Sequence, residues 1–103
     1  MTVFRRGEVW AYKPVLDRPG QSLLRLIVSA DGLNDSPIPV VLGCQVVDHD
    51  PGSLLAVRID DHGWAVVTTI EQVVKRRLIE VAGVTSASEQ QAVDAALRAA
   101  QDL

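Results

Sequence analysis

The stretch 22–30, Ser-Leu-Leu-Arg-Leu-Ile-Val-Ser-Ala, is nearly continuous in apolar character and is interrupted by a single charge, Arg25. Such a run suits a central strand covered on both faces. A guanidinium inside it is costly to bury unless it is paired or borders a groove. Two readings of Arg25 follow. One is a structural ion pair with Asp31, Glu71 or Asp48. The other is a guanidinium presented to a phosphate, where planar two-point geometry suits an anionic transition state.

Outward from this strand the punctuation is regular. Upstream, residues 7–15 alternate as a strand with Trp10 and Tyr12 on one face, and Pro14 ends it or sets it at an edge. Leu16 to Gln21 is a loop marked by Pro19-Gly20. Downstream, 31–37 has turn chemistry, a third strand runs from Ile38 to Val47, and His49 to Ser53 is a second loop. A short strand over 54–59 leads through Asp60-Asp-His-Gly63, which has hairpin chemistry, into an antiparallel return over 64–70. The segment 71–78 predicts one or two helical turns, and 79–84 a last short strand. Ser86 and Glu89 fit a capping box, with Val93, Ala96, Leu97 and Ala100 on one helical stripe. Short strands followed by one helix predict a mainly β, α+β fold. The expected form is a barrel or half-barrel of five to seven strands with the C-terminal helix packed on it, as one domain over 1–103.

Composition narrows the function. The 103 residues suit one core, 48% are hydrophobic, and only four are aromatic, so that core is aliphatic. No apolar run approaches the roughly 20 residues of a membrane helix, and no signal peptide is visible, so a cytoplasmic location away from membranes is expected. Ten basic against thirteen acidic residues exclude a protein that coats itself in nucleic acid by charge alone; any RNA contact must be local. The basic residues do cluster, at Arg5-Arg6 and at Lys75-Arg76-Arg77. A lone cysteine, Cys44, excludes an internal disulfide and reads as a small buried hydrophobe. The two histidines, His49 and His62, sit in acidic loops without metal-ligand spacing, so neither a metal nor another cofactor is expected. Phosphate-cradling glycine loops and nucleophile elbows are missing as well.

Three stretches carry a resemblance. Arg6-Gly-Glu-Val-Trp10 resembles the opening of MazF and PemK toxins. The run from Arg25 to Ser36 is similar to that family's Arg-Pro-hydrophobic-Val-Ser-Asn-Asp-x-x-Asn stretch. The tail, Val74-Lys-Arg-Arg-Leu78 through Val84 to Val93-Asp-Ala-Ala-Leu97, is similar to its strand, Arg-Leu turn and terminal helix. Trp64-Ala-Val-Val-Thr-Thr69 is closer to CcdB, a gyrase poison of the same superfamily. CcdB meets gyrase through a C-terminal Trp-Gly-Ile, whereas this chain ends Ala100-Gln-Asp-Leu103.

The resemblance implies a dimeric toxin that cleaves single-stranded RNA without metal, by attack of a ribose 2′-hydroxyl on the adjacent phosphate. Arg25 falls on the family's catalytic arginine. Gln45 falls where the ribonucleases usually carry a threonine; it can bond a phosphate oxygen or base edge but cannot exchange protons near neutral pH. With Thr69 it would position the RNA. Thr68 occupies a position that is acidic in other members, and with Arg5, Arg6 and Arg18 it completes the implied RNA contacts. A cognate antitoxin, with a disordered tail folding into an apolar groove of the homodimer, is the implied partner. The competing reading is a non-catalytic or CcdB-like toxin that binds a protein such as DNA gyrase.

Overall fold

The computed structural model describes residues 2–16, 18–53 and 55–101. Leu54, the expected start of the fourth strand, lies outside them, as do Asp17 of the first loop and the terminal Asp102 and Leu103. The strands are β1 (Glu8–Tyr12), β2 (Leu24–Ile27), β3 (Val40–Val47), β4 (Ala56–Ile59), β5 (Gly63–Val74) and β6 (Leu78–Val84). One helical turn, α1 (Asp31–Asn34), follows β2, and the chain closes on α2 (Ala87–Gln101). The six strands form one antiparallel sheet in the order β4-β5-β3-β2-β1-β6. The apolar 22–30 run thus supplies a central strand, as expected. No helix among the described residues is long and apolar enough to cross a membrane.

Strand alternation sorts the side chains onto two faces. Val9, Leu26, Cys44, Val46 and Ala65 point toward α2 and pack with Ile59, Val93 and Leu97. Trp10, Ile27, Val41 and Val73 point the other way and pack with Phe4, Leu78 and Tyr12. Complete burial of each large aliphatic side chain contributes about 1.5–3 kcal/mol, so the two clusters together fix which face each strand presents. Burial pushes the Cys44 thiol up to about 12, against the opposing pull of the Arg25 charge. Cys44 therefore stays a protonated, inert core residue.

The α+β fold holds, with the sheet in the half-barrel form of the expectation, and two local expectations change. The segment 71–78 is not helical at its start: β5 continues through Val74, and only Lys75–Arg77 form a single 3-10 turn. The reason is non-local. Glu71 to Val74 pair in register with Gly43 to Val40, and Val73 is buried, so ladder and packing override the local pattern. Residues 31–34 form a helical turn, held because buried Asn34 donates from Nδ2 to the Ser29 carbonyl at 2.9 Å while the Ser29 hydroxyl accepts from the Leu42 amide at 3.1 Å. The Ser29-to-Ser36 part of the family-like stretch is therefore a structural latch between β2 and β3. The sheet itself stays open. Its edge strands β4 and β6 share no ladder; instead the His62 ring of the β4–β5 turn rests against Gly83 of β6. Gly63 closes that turn at φ +118°, where an added Cβ would lie 2.0 Å from the Val47 carbonyl oxygen, so glycine is required.

The capping box forms as expected: the Glu89 amide donates to Ser86 Oγ at 3.2 Å and the Ser86 amide donates to Glu89 Oε1 at 2.7 Å. Glu89 Oε2 also accepts from the Asp60 amide at 2.6 Å, tying the helix start to the β4–β5 turn. The Ser86 amide first, with Asp60 and nearby His62 adding, holds the Glu89 carboxyl below its ordinary value of 4.5. A depressed carboxyl stabilises the fold above the unfolded value and loses that contribution as pH falls through the folded one. Glu89→Ala is expected to cost about 1–2 kcal/mol near neutral pH. The gap from the parent should close as urea unfolding is followed down to about pH 3, and a gap independent of pH would show that the carboxylate charge is not the cause.

Candidate active site around Arg25

Arg25 lies at the centre of β2, opposite Trp10 of β1 and Gln45 of β3, so all three occupy the sheet face away from α2. It is only 3% exposed. Nε donates to Glu71 Oε1 at 3.0 Å, and Nη1 donates to the carbonyls of Ser22 at 3.0 Å and Leu24 at 2.9 Å. The guanidinium carbon sits 4.2 Å from the centroid of the Tyr12 ring. A carboxylate, two carbonyls and an aromatic face offset the desolvation of the cation. Among the described residues Nη2 has no hydrogen-bond partner.

The ion-pair reading of Arg25 therefore holds. Its internal partner is Glu71, while Asp48 pairs with His49 at 2.9 Å and Asp31 lies in α1, where its charge acts on Arg5. Yet the Glu71 side chain is 45% exposed, so the pair opens to the surface. Gly43 stands opposite Glu71 in the ladder, where a Cβ would come within 3.1 Å of Val73 Cγ2 and 3.2 Å of the Leu26 carbonyl, tight contacts with the strands on either side.

A bulge decides which β5 side chains reach this place. Gly43 pairs with Glu71 but Gln45 pairs with Val66, so Cys44 alone spans residues 67–70 of β5. Thr69 Oγ1 fills the gap: it accepts from the Gln45 amide at 2.8 Å and donates to the Val66 carbonyl at 2.7 Å. Its hydroxyl is engaged in holding the ladder. Thr68 is exposed on the same bulge. Of the Thr68-Thr69 pair that looked CcdB-like, Thr69 is therefore engaged in this repair of the ladder.

The structure thus brings together Arg25, Gln45, Thr69, Tyr12 and Glu71. Arg18 is exposed on the β1–β2 loop, at the Tyr12 end of the sheet, with its amide donating to Gln21 Oε1 at 3.2 Å. Arg5 and Arg6 stand apart, ahead of the opposite end of β1. Arg5 pairs with Asp35 at 2.8 Å, which with the Asp35 hydrogen bond holds its pKa above the ordinary value, and Arg6 pairs with Asp94 of α2, on the far side of the sheet. Among the described residues no three His, Cys, Asp or Glu side chains gather in metal-binding range. Sequence reasoning missed Glu71 as a site residue because a helical 71–78 pointed it nowhere in particular. It missed Tyr12 too, although the alternation of Trp10 and Tyr12 already placed that ring on one face with Arg25's neighbour.

No curated protein sequence is significantly similar to this chain. Solved structures are similar in fold. An endoribonuclease from a mycobacterial species superposes with a TM-score of 0.81 at 20% identity, covering 100% of this chain and 95% of that one. A mycobacterial endoribonuclease in complex with its cognate antitoxin gives 0.83 at 19% identity, covering 98% and 97%. MazF from Deinococcus radiodurans gives 0.79 at 17% identity over 100% of both chains. At such identities the likeness is one of fold. The sequence itself, over residues 5–100, matches the model of the PemK-like, MazF-like toxins of type II toxin–antitoxin systems, and the chain belongs to that family.

Proposed function

We propose that this chain is a metal-independent, sequence-selective endoribonuclease toxin acting on single-stranded RNA in the cytoplasm. The observation that carries the reading is the Arg25–Glu71 pair: a buried, permanent cation whose Nη2 has no partner among the described residues, with Nε 3.0 Å from a half-exposed carboxylate. Cleavage by internal transfer needs two things at one phosphate, a base for the 2′-hydroxyl and a positive charge for the phosphorane. Glu71 takes the 2′-hydroxyl proton as the 2′-oxygen bonds to phosphorus. Arg25 neutralises the charge that develops on the non-bridging oxygens. The bond to the 5′-oxygen breaks, that oxygen is protonated from water, and the products are a 2′,3′-cyclic phosphate and a 5′-hydroxyl.

Gln45 offers its amide to a phosphate oxygen or base edge beside Arg25. Thr69 positions the RNA indirectly, by holding the Gln45 backbone. Arg18 and Thr68 contact the strand as it leaves the site, and Arg5 and Arg6 serve it from the other end of β1 after exchanging Asp35 and Asp94 for phosphate. The chain works as one toxin domain in a homodimer, silenced by a cognate antitoxin, as the antitoxin complex of its mycobacterial structural relative supports.

The test is incubation of the folded protein with a mixed-sequence RNA pool in excess chelator, followed by sequencing and end-group analysis. Cleavage at a short recurrent motif leaving cyclic phosphate ends is expected. Intact RNA throughout would sink the ribonuclease reading, and inhibition of DNA supercoiling in its place would establish a gyrase-directed toxin.

A further inference from the structure

The Tyr12 ring that carries the Arg25 guanidinium also walls a recess of about 280 Å³. Its other walls are Lys13, Pro14, Leu23 and Ile79. Leu23 is 53% and Ile79 61% exposed, so two large aliphatic side chains stand in solvent at its mouth. The recess is firmly built. The Tyr12 amide donates to the Leu23 carbonyl at 2.8 Å and the Lys13 amide to the Arg77 carbonyl at 2.8 Å, while Arg77 Nη1 returns a bond to the Lys13 carbonyl at 3.0 Å. The end of β1, the approach to β2 and the start of β6 are thereby locked together. Lys13 also sets a cation on the recess wall, with the Arg77 guanidinium bonded behind it to the Lys13 carbonyl.

An apolar slot with an aromatic wall and a lysine cation, sharing that aromatic wall with a phosphate-binding guanidinium, has the chemistry of a nucleobase subsite. Unstacked bases of single strands settle on aromatic and aliphatic surfaces while their backbone follows the positive charge. We infer that this recess receives a base flanking the phosphate held at Arg25 and so sets part of the sequence preference. The inference rests on Arg25 as a phosphate-binding group, and it is independent of whether the bound strand is then cut. A protein partner fits less well, because the slot is small and its aromatic wall leads directly to the buried cation.

The test separates binding from cleavage. Single-stranded oligonucleotides with 2′-fluoro sugars, which lack the nucleophile, are selected for binding to the full chain and then scanned with single abasic replacements. In the parent, one abasic position is expected to weaken binding by roughly ten- to a hundredfold, the range of one lost base stack. In Leu23→Ala/Ile79→Ala, two surface changes that leave the core untouched, intact and abasic strands should bind alike. An abasic penalty undiminished in the double variant would overturn the subsite, as would failure of the parent to bind any strand. So would a double variant that loses only antitoxin binding or dimerisation, which would make the recess a protein contact. An abasic penalty present in the parent and lost in the double variant, alongside no cleavage of natural RNA, would uphold the subsite and sink the catalytic reading alone.

Discussion

Glu71→Gln is expected to abolish most RNA cleavage while leaving the protein folded. Glutamine keeps the shape of the side chain and an oxygen for the Arg25 Nε proton, so the 3.0 Å contact survives as a weaker, neutral-acceptor hydrogen bond. Arg25 loses a countercharge, but one that is 45% exposed and screened by water, so the stability cost is about 1–2 kcal/mol rather than the larger cost of orphaning a fully buried ion. What glutamine cannot do is take the 2′-hydroxyl proton. Removing a positioned general base costs about a hundredfold to ten-thousandfold in rate. Single-turnover cleavage by the parent and the variant, with the fold of each checked by urea unfolding, reads this directly. Parent-like cleavage by Glu71→Gln would leave Glu71 as a counterion and move the base elsewhere.

How much of this was legible beforehand depended on the distance over which each feature is decided. The capped helix at Ser86 and Glu89, the turn at Gly63 and the central place of 22–30 rest on local chemistry, and local chemistry is written in adjacent residues. The continuation of β5 through Val74 is decided by Val40 to Gly43, some thirty positions upstream, and nothing within 71–78 announces it. The same non-local pairing hid the site. Asp31, Glu71 and Asp48 were equal candidates for Arg25 until the register set Glu71 opposite Gly43, and the bulge at 67–70 then turned Thr69 inward to the ladder. The choice between a closed barrel and an open sheet was likewise hidden, because it turns on side chains such as His62 meeting Gly83 rather than on any strand's own pattern.

Arg25 itself should be the most damaging position to change, for two reasons that one substitution confounds. Arg25→Ala leaves the Ser22 carbonyl and the inner oxygen of Glu71 without the Arg25 donor and the Leu24 carbonyl with the Ser22 hydroxyl alone, and it vacates the space under Tyr12. A loss of about 3–5 kcal/mol is expected from breaking so buried a set, a large share of the stability of a small domain. Inactivity of that variant would therefore say little about chemistry. Arg25→Lys separates the two. Lysine keeps the charge and reaches part of the carbonyl cage, so a folded protein with a cost of about 1–2 kcal/mol is expected in urea unfolding. It lacks the rigid fork that lets Nε hold Glu71 while Nη2 faces the phosphate. Cleavage should then fall by about two to three orders of magnitude, the scale of losing one aligned donor to a developing oxyanion. In the proposed mechanism Arg25 and Glu71 act on one phosphate, so combining Arg25→Lys with Glu71→Gln should cost far less than the product of the single losses. A folded Arg25→Lys protein cutting at the parent rate would reduce Arg25 to a scaffold for the sheet, with the phosphorane charge met by some other cation.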